Sequence, residues 1–311
     1  MTKGPIKNLA ASVHQRLLNI AKQSGRRFND VVQHYALERW LFRLSRSAYG
    51  ERFVLKGALL FVVWKTPITR PTRDVDLLGW ISNDLDSVRS VIAEIVQTPV
   101  EDDGLVFDAA SVTTERIAED ADYEGVRAKF VGRLGTSRIS MQIDIGFSDV
   151  VTPTPARVSY PTILEQPAAQ LLAYNRETVI AEKFEAMVKL GDVNSRMKDF
   201  FDIWLLAANS EFDGLGLVAA VRATFIQRQT PPEVDPVSFS DQFSSDPSKA
   251  AQWRAFIRRS LLTDAPADFS EVVSYVRNFL QPAAKAIVEN RSFAKQWWPG
   301  GPWHAMKRLA E

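Results

Sequence analysis

The chain has 311 residues, of which 46% are apolar and 24% charged, with a net charge of +1, enough for two modest domains or one core with helical additions. It has no cysteine, which excludes a disulfide framework, a thiolate nucleophile and cysteine-ligated zinc. Apolar runs such as Phe61-Val62-Val63-Trp64 fall far short of the roughly 18 residues that cross a bilayer, and Met1-Thr2-Lys3-Gly4-Pro5 leads into a polar segment without a signal-peptide core, so a cytoplasmic protein away from the membrane is expected.

The first helix is predicted over residues 6–23, where Ile6, Leu9, Ala10, Val13, Leu17, Leu18 and Ala21 keep helical spacing and Ser24-Gly25 ends it. A second is predicted from Phe28 to Leu44, with Asn29 and Asp30 as cap residues. Arg52-Phe53-Val54-Leu55 reads as a strand, Lys56-Gly57-Ala58 as a turn, and Leu59 to Trp64 as a short helix broken by Pro67 and Pro71. The next strand is Asp74-Val75-Asp76-Leu77-Leu78, followed by a helix from Leu85 to Gln97. Three strand-like pieces cover 106–109, 126–131 and 138–147.

From Ile163 onward the chain reads as helical, with candidate helices over 167–174, 177–190, 195–208 and 215–224. Thr230 to Lys249 is rich in proline and serine with little periodicity, and is expected to be a loop or linker. Ala250 to Ile287 reads as a last helical region. The tail around Trp297, Trp298 and Trp303 reads as packing across the C-terminal helices, with base stacking beside Lys295, Lys307 and Arg308 as the alternative.

Charge is unevenly spread. Residues 1–56 hold eleven Lys or Arg against three Asp or Glu, whereas 74–124 hold fourteen Asp or Glu against two Lys or Arg. A basic arm that follows phosphates and an acidic region that holds cations is one reading, and mutual neutralisation within the fold is the other. His14, His34 and His304 lack metal-ligand spacing, and no Gly-x-Ser-x-Gly elbow supports a serine hydrolase. Chemistry therefore falls to carboxylates, lysines and a metal.

Asp74 and Asp76 stand two apart between apolar neighbours, so on a strand both carboxylates share one face while Val75 and Leu77 pack on the other. Such close like charges favour a divalent cation between them, and Mg²⁺ with few carboxylates and phosphate oxygens suits phosphoryl transfer. A solvated edge strand gives the same pattern. In Met141-Gln142-Ile143-Asp144-Ile145-Gly146-Phe147 the apolar residues alternate, leaving Asp144 on the polar face as a candidate third acid. Gly57 lets the backbone approach a ligand closely, and the N–H groups after it are candidate phosphate donors. Lys183 lies on an apolar helical stripe of Val179, Ile180, Met187 and Leu190, where it must reach solvent or find an anion. Asp199 and Asp202 share one face of the next helix, either in local ion pairs with Arg196 and Lys198 or orienting Lys183.

Taken in order, Arg52-Phe53-Val54-Leu55-Lys56-Gly57-Ala58-Leu59-Leu60, Arg70-Pro71-Thr72-Arg73-Asp74-Val75-Asp76-Leu77-Leu78-Gly79, Gln142 to Phe147, Ala181-Glu182-Lys183-Phe184 and Arg196 to Asp202 resemble the AbiEii/AbiGii toxin family of the polymerase-β-like nucleotidyltransferases. The resemblance implies an α+β fold: a small mixed β-sheet nucleotidyltransferase core over 49–160, an N-terminal helical segment over 1–48, and a helical C-terminal domain over 161–311 that completes the active site. It implies catalytic roles for Asp74, Asp76, Lys183 and Asp199, a triphosphate held by Lys56, Gly57, Ala58 and Lys183, and a metal held by Asp74, Asp76 and Asp144. The superfamily's glycine is usually followed by Gly or Ser, so with Ala58 here the cradling falls to backbone N–H groups. The implied cofactor is Mg²⁺, with Mn²⁺ as its alternative, and the implied substrate is a nucleoside triphosphate. The implied acceptor is an RNA 3′ end, foremost the tRNA acceptor stem, and the implied partner is a cognate antitoxin encoded nearby. Transfer to a protein or small-molecule hydroxyl, and a non-catalytic nucleic-acid or partner-binding protein, are the competing functions.

Overall fold

The computed structural model describes residues 8–66, 72–120, 123–262 and 264–306. Ile6, the breaks expected at Pro67 and Pro71, the motif residue Arg70, and Lys307 and Arg308 lie outside them. The chain divides into two compact units, one made of 1–65, 71–148 and 156–173, the other of 66–70, 149–155 and 174–311. Among the described residues no helix is long and apolar enough to cross a membrane.

The first unit opens with α1 (Leu9–Ser24), whose first turn is capped by the Asn8 side chain accepting from the Ala11 N–H at 3.0 Å and whose end is Gly25 at φ 67°. Val13, Leu17 and Ala21, four apart, form its buried stripe. Helix α2 (Phe28–Arg46) is preceded by Arg27, which makes no side-chain cap. Asn29 and Asp30 are therefore inside the first turn rather than caps, where the Asp30 charge favours the helix N-terminus.

Helix α2 buries charge as well as apolar surface. Asp103 accepts from Arg39 Nε at 3.2 Å and from Arg43 Nη1 and Nη2 at 2.7 and 3.1 Å, and Glu38 accepts from the Ile163 N–H at 2.7 Å. Burial pushes the Glu38 carboxyl up to about 7, against the Ile163 and Arg39 contacts that favour its charge. One turn earlier, burial and then Arg26 push the His34 imidazole down to about 4. The folded state thus keeps the Glu38 proton where the unfolded chain loses it, so this term weakens the fold as pH rises from about 4.5 through 7. The His34 term has the opposite sense and weakens the fold as pH falls from 6.5 toward about 4. Each is worth roughly 3 kcal/mol at full shift. Glu38→Gln is expected to remove the loss of stability between about pH 4.5 and 7 in denaturant titrations and to leave the His34 acid-side decline unopposed. An unchanged profile would show that Glu38 does not titrate there.

A seven-stranded mixed sheet forms the centre of this unit, built from β1 (Phe53–Lys56), β2 (Val75–Gly79), β3 (Leu105–Asp120), β4 (Tyr123–Leu134), β5 (Ser137–Gly146), β6 (Ala156–Ser159) and β7 (Gln170–Ala173) in the order β3-β4-β5-β2-β1-β7-β6. Strands β5 and β2 run parallel, as do β1 and β7, and the other neighbours are antiparallel. A single turn of 3₁₀ helix (Gly57–Leu59) and the four-residue α3 (Leu60–Val63) follow β1, and α4 (Leu85–Val96) follows β2, capped by Asp84.

The helix expected over 167–174 is instead β7. Gln-Leu-Leu-Ala has ordinary helix propensity, but pairing of Leu172 with Val54 and Ala173 with Leu55 extends the sheet and overrides it. Strand β6 escapes sequence reading for a related reason: its four residues are mostly exposed, and the alternation of Ala156 and Val158 with Arg157 and Ser159 is too short to mark a strand.

The second unit is mainly helical: α5 (Arg176–Leu190), α6 (Met197–Asn209), α7 (Gly214–Gln227), α8 (Asp241–Ser245), α9 (Pro247–Ser260) and α10 (Phe269–Val288). Side chains of Asn175, Asp213, Ser240, Asp246 and Asp268 cap α5, α7, α8, α9 and α10. The stretch 230–249 is not a linker. Phe239 stacks on Phe184 at 5.7 Å, and Phe243 packs on Phe200 at 5.8 Å, so its two aromatic residues are part of the core.

A small sheet of β8 (Phe212–Asp213), β9 (Lys295–Trp297) and β10 (Trp303–Ala305) closes this unit. Trp297 Nε1 donates to the Ala207 carbonyl at 2.7 Å, and Trp303 Nε1 to the Phe279 carbonyl at 2.8 Å while its ring stacks on Phe279. The tail tryptophans at 297 and 303 thus pack within the fold; Trp298 is exposed.

Candidate active site

The pairing of β4, β5, β2 and β1 puts four charges in one row across the sheet. Arg127 lies opposite Asp144, Asp144 beside Asp76, and Asp76 opposite Lys56. Along each strand the apolar alternation buries the other face, with Val75 and Leu77 on β2 and Ile143 and Ile145 on β5 all inaccessible. Asp74 stands one residue before β2, and its carboxylate accepts from Thr72 Oγ1 at 2.6 Å. The segment is pinned from α2, where Gln33 Nε2 donates to the carbonyls of Arg73 and Ser140 at 3.2 and 3.0 Å.

Carboxylate oxygens of Asp74, Asp76 and Asp144 all lie within 4.8 Å of one another. Three hard oxygen donors at that separation fit a divalent cation such as Mg²⁺. Gly57 adjoins them. Its φ of +75° disfavours any side chain, and a Cβ there would sit 1.9 Å from Asp76 Oδ2. Glycine is therefore required twice over, by backbone conformation and by room for the carboxylate. Ala58 is buried in the turn that follows, and the four residues of α3 form too short a helix to lend much dipole, so the turn offers an anion only its local N–H groups.

Asp144 has its own partners. Arg127 donates to it in bidentate fashion, Nε to Oδ1 at 2.8 Å and Nη2 to Oδ2 at 2.7 Å, and Gln142 Nε2 adds a bond to Oδ2 at 3.2 Å. Sequence reading placed Gln142 and Asp144 together but missed Arg127. The available signal was its alternation with Val126, Ala128 and Phe130, which puts it on the polar face of the strand next to β5.

In the second unit Lys183 of α5 meets both acids of α6. Its Nζ lies 2.7 Å from Asp199 Oδ1 and 2.8 Å from Asp202 Oδ2, while Arg196 Nε donates to Asp199 Oδ2 at 2.6 Å. Both carboxylates are fully buried. Burial alone would raise the Asp199 carboxyl, but Lys183, then Arg196 and Lys198, outweigh it and hold it well below the usual carboxylate range. Asp202, which shares a helix face with Asp199, is thus an equal partner of Lys183.

A mixed sheet carrying three convergent acids next to a close-approach glycine defines a nucleotidyltransferase core. Residues 39–275 match the family described as nucleotidyl transferase AbiEii toxin, type IV toxin–antitoxin system, and the chain belongs to that family. Membership makes it a nucleotidyltransferase toxin and implies a nucleoside triphosphate substrate and an antitoxin partner. Among solved structures it is similar to JHP933 from Helicobacter pylori (12% identity, 92% of this chain and 96% of that one, TM-score 0.43). It is also similar to an H. pylori protein provisionally described as a nucleotidyltransferase (13% identity, 93% and 100% coverage, TM-score 0.40). No curated protein matches.

Proposed function

We propose that this toxin is a Mg²⁺-dependent enzyme that transfers a nucleotide from a nucleoside triphosphate to an RNA 3′ end, foremost the acceptor end of tRNA, and so blocks translation. The observation that carries the reading is the convergence of Asp74, Asp76 and Asp144 within 4.8 Å, beside a glycine with no room for a side chain. Asp74 and Asp76 would hold the ion, with Asp144 as the third acid. Bound there, Mg²⁺ supplies charge neutralisation to the triphosphate. The backbone around Gly57 and Ala58, next to Lys56, lies where phosphate oxygens approach. In the reaction the 3′-hydroxyl oxygen bonds to the α-phosphorus, the bond from that phosphorus to the bridging oxygen breaks, and pyrophosphate leaves with its electron pair. The hydroxyl proton goes to water.

In the same reading Asp199 and Asp202 keep the Lys183 ammonium charged and fixed, as the triphosphate role that the family resemblance implies for this lysine requires. A polynucleotide acceptor is supported by the exposed Arg16, Lys22, Arg26 and Arg27 of the α1–α2 region and by exposed Arg73 next to Asp74. The antitoxin is expected to be encoded by a neighbouring gene.

The test incubates purified protein with Mg²⁺, each labelled nucleoside triphosphate in turn, and total tRNA, protein or small hydroxyl compounds as acceptors. Label is expected in tRNA. Label only in protein or a small molecule would overturn the acceptor, and none in any arm would overturn the activity.

A further inference from the structure

We propose that Arg127 is a positioning residue that withholds Asp144 from the metal, so that the ion is held chiefly by Asp74 and Asp76 and its affinity is set by the Arg127–Asp144 pair. The inference rests on the metal reading above. A carboxylate offers about four lone-pair sites. Arg127 occupies two of those on Asp144, at 2.8 and 2.7 Å, and Gln142 occupies a third. Asp144 is nine-tenths buried, whereas Asp74 and Asp76 are partly exposed, so its orientation is the most constrained of the three. Placing a cation on the remaining lone pair would bring it against a guanidinium that cannot lose its charge.

The arrangement also explains how Asp144 and Asp76 coexist so closely. Arg127 at one end of the cross-strand row and Lys56 at the other bracket Asp144 and Asp76, so the row is balanced without an ion. Arg127 is itself only 30% exposed and is anchored through β4, which keeps the fork aimed along the row. The cluster thus trades metal affinity for a site that is already formed before the ion arrives.

Mn²⁺ binding to the full chain without nucleotide, followed by electron paramagnetic resonance of the free ion, tests this. Arg127→Met is expected to tighten binding by about tenfold, because Asp144 becomes a full third ligand. Asp144→Asn alone is expected to change affinity by less than about threefold, and Arg127→Met with Asp144→Asn to return to the wild-type value. Arg127→Lys, which keeps the charge but loses the fork, is expected to fall between wild type and Arg127→Met. Thermal melting gives a second readout: Mn²⁺ should raise the midpoint more in Arg127→Met than in wild type, even if that variant starts lower. Weakening by about tenfold or more in Asp144→Asn, with no tightening in Arg127→Met, would make Asp144 an ordinary ligand and overturn the proposal. Mn²⁺ binding in no variant would overturn the metal reading itself, and the inference with it.

Discussion

Asp76→Asn is expected to lower kcat/KM for nucleotide transfer on the order of a thousandfold while leaving the protein folded, and Asp76→Ala to do at least as much. A thousandfold corresponds to about 4 kcal/mol of transition-state stabilisation, in the range a metal ion contributes by neutralising charge on phosphoryl oxygens. Asp76 is the most constrained of the pair it forms with Asp74: it is paired in register with Asp144 and with Lys56, and its carboxylate fills the space beside Gly57. Asparagine keeps the shape of that filling but loses the charge, so far-ultraviolet circular dichroism and the melting midpoint should stay near wild type. Steady-state rates at subsaturating triphosphate with tRNA as acceptor check the prediction. Retention of a tenth or more of the activity by Asp76→Asn would remove this residue from the chemistry.

Lys183→Met is the second large effect, and it is first an effect on stability. Asp199 and Asp202 are both about 1% exposed, and the lysine ammonium bridges them at 2.7 and 2.8 Å. Without it two like charges remain buried side by side, with Arg196 Nε on Asp199 at 2.6 Å. Breaking a buried pair by deleting one partner costs about 3–5 kcal/mol. The pH dependence separates this from a general packing defect. In wild type the Asp199 carboxyl is depressed, so its contribution is complete above its unfolded value of about 3.8 and is lost only as pH falls through the much lower folded value. In the variant the remaining pair favours one proton, so relative to wild type, whose Asp199 term is constant in this range, stability should rise as pH falls from 7 to 5. Chemical denaturation at several pH values measures it. Adding Asp202→Asn to the variant should recover a substantial part of the loss, and failure to do so would show that repulsion is not its cause. Activity loss in Lys183→Met is interpretable only beside these curves.

Much of the candidate site was readable because strand periodicity is local. The two-residue spacing of Asp74 and Asp76 and the alternation around Asp144 each place a carboxylate on a polar face without knowledge of the fold. The apolar stripe around Lys183 similarly announced a cation in need of an anion. What was hidden depends on which strands become neighbours. Arg127 acquires meaning only when β4 pairs with β5. The four-residue β7 was misread because its identity is decided by β1, far away in sequence, and 230–249 because Phe239 and Phe243 are too sparse to show a period yet are taken up by the core.

The position of β5 next to β2 has a consequence for the chain during its synthesis. Asp74 and Asp76 leave the ribosome well before Asp144, and only the non-local pairing of β2 with β5 brings the third acid to them. A nascent chain that ends before β5 carries the paired aspartates but no charge row, and Lys183 is later still. A chain assembled in this order cannot form the three-acid cluster until β5 has been translated, at nearly half of its length.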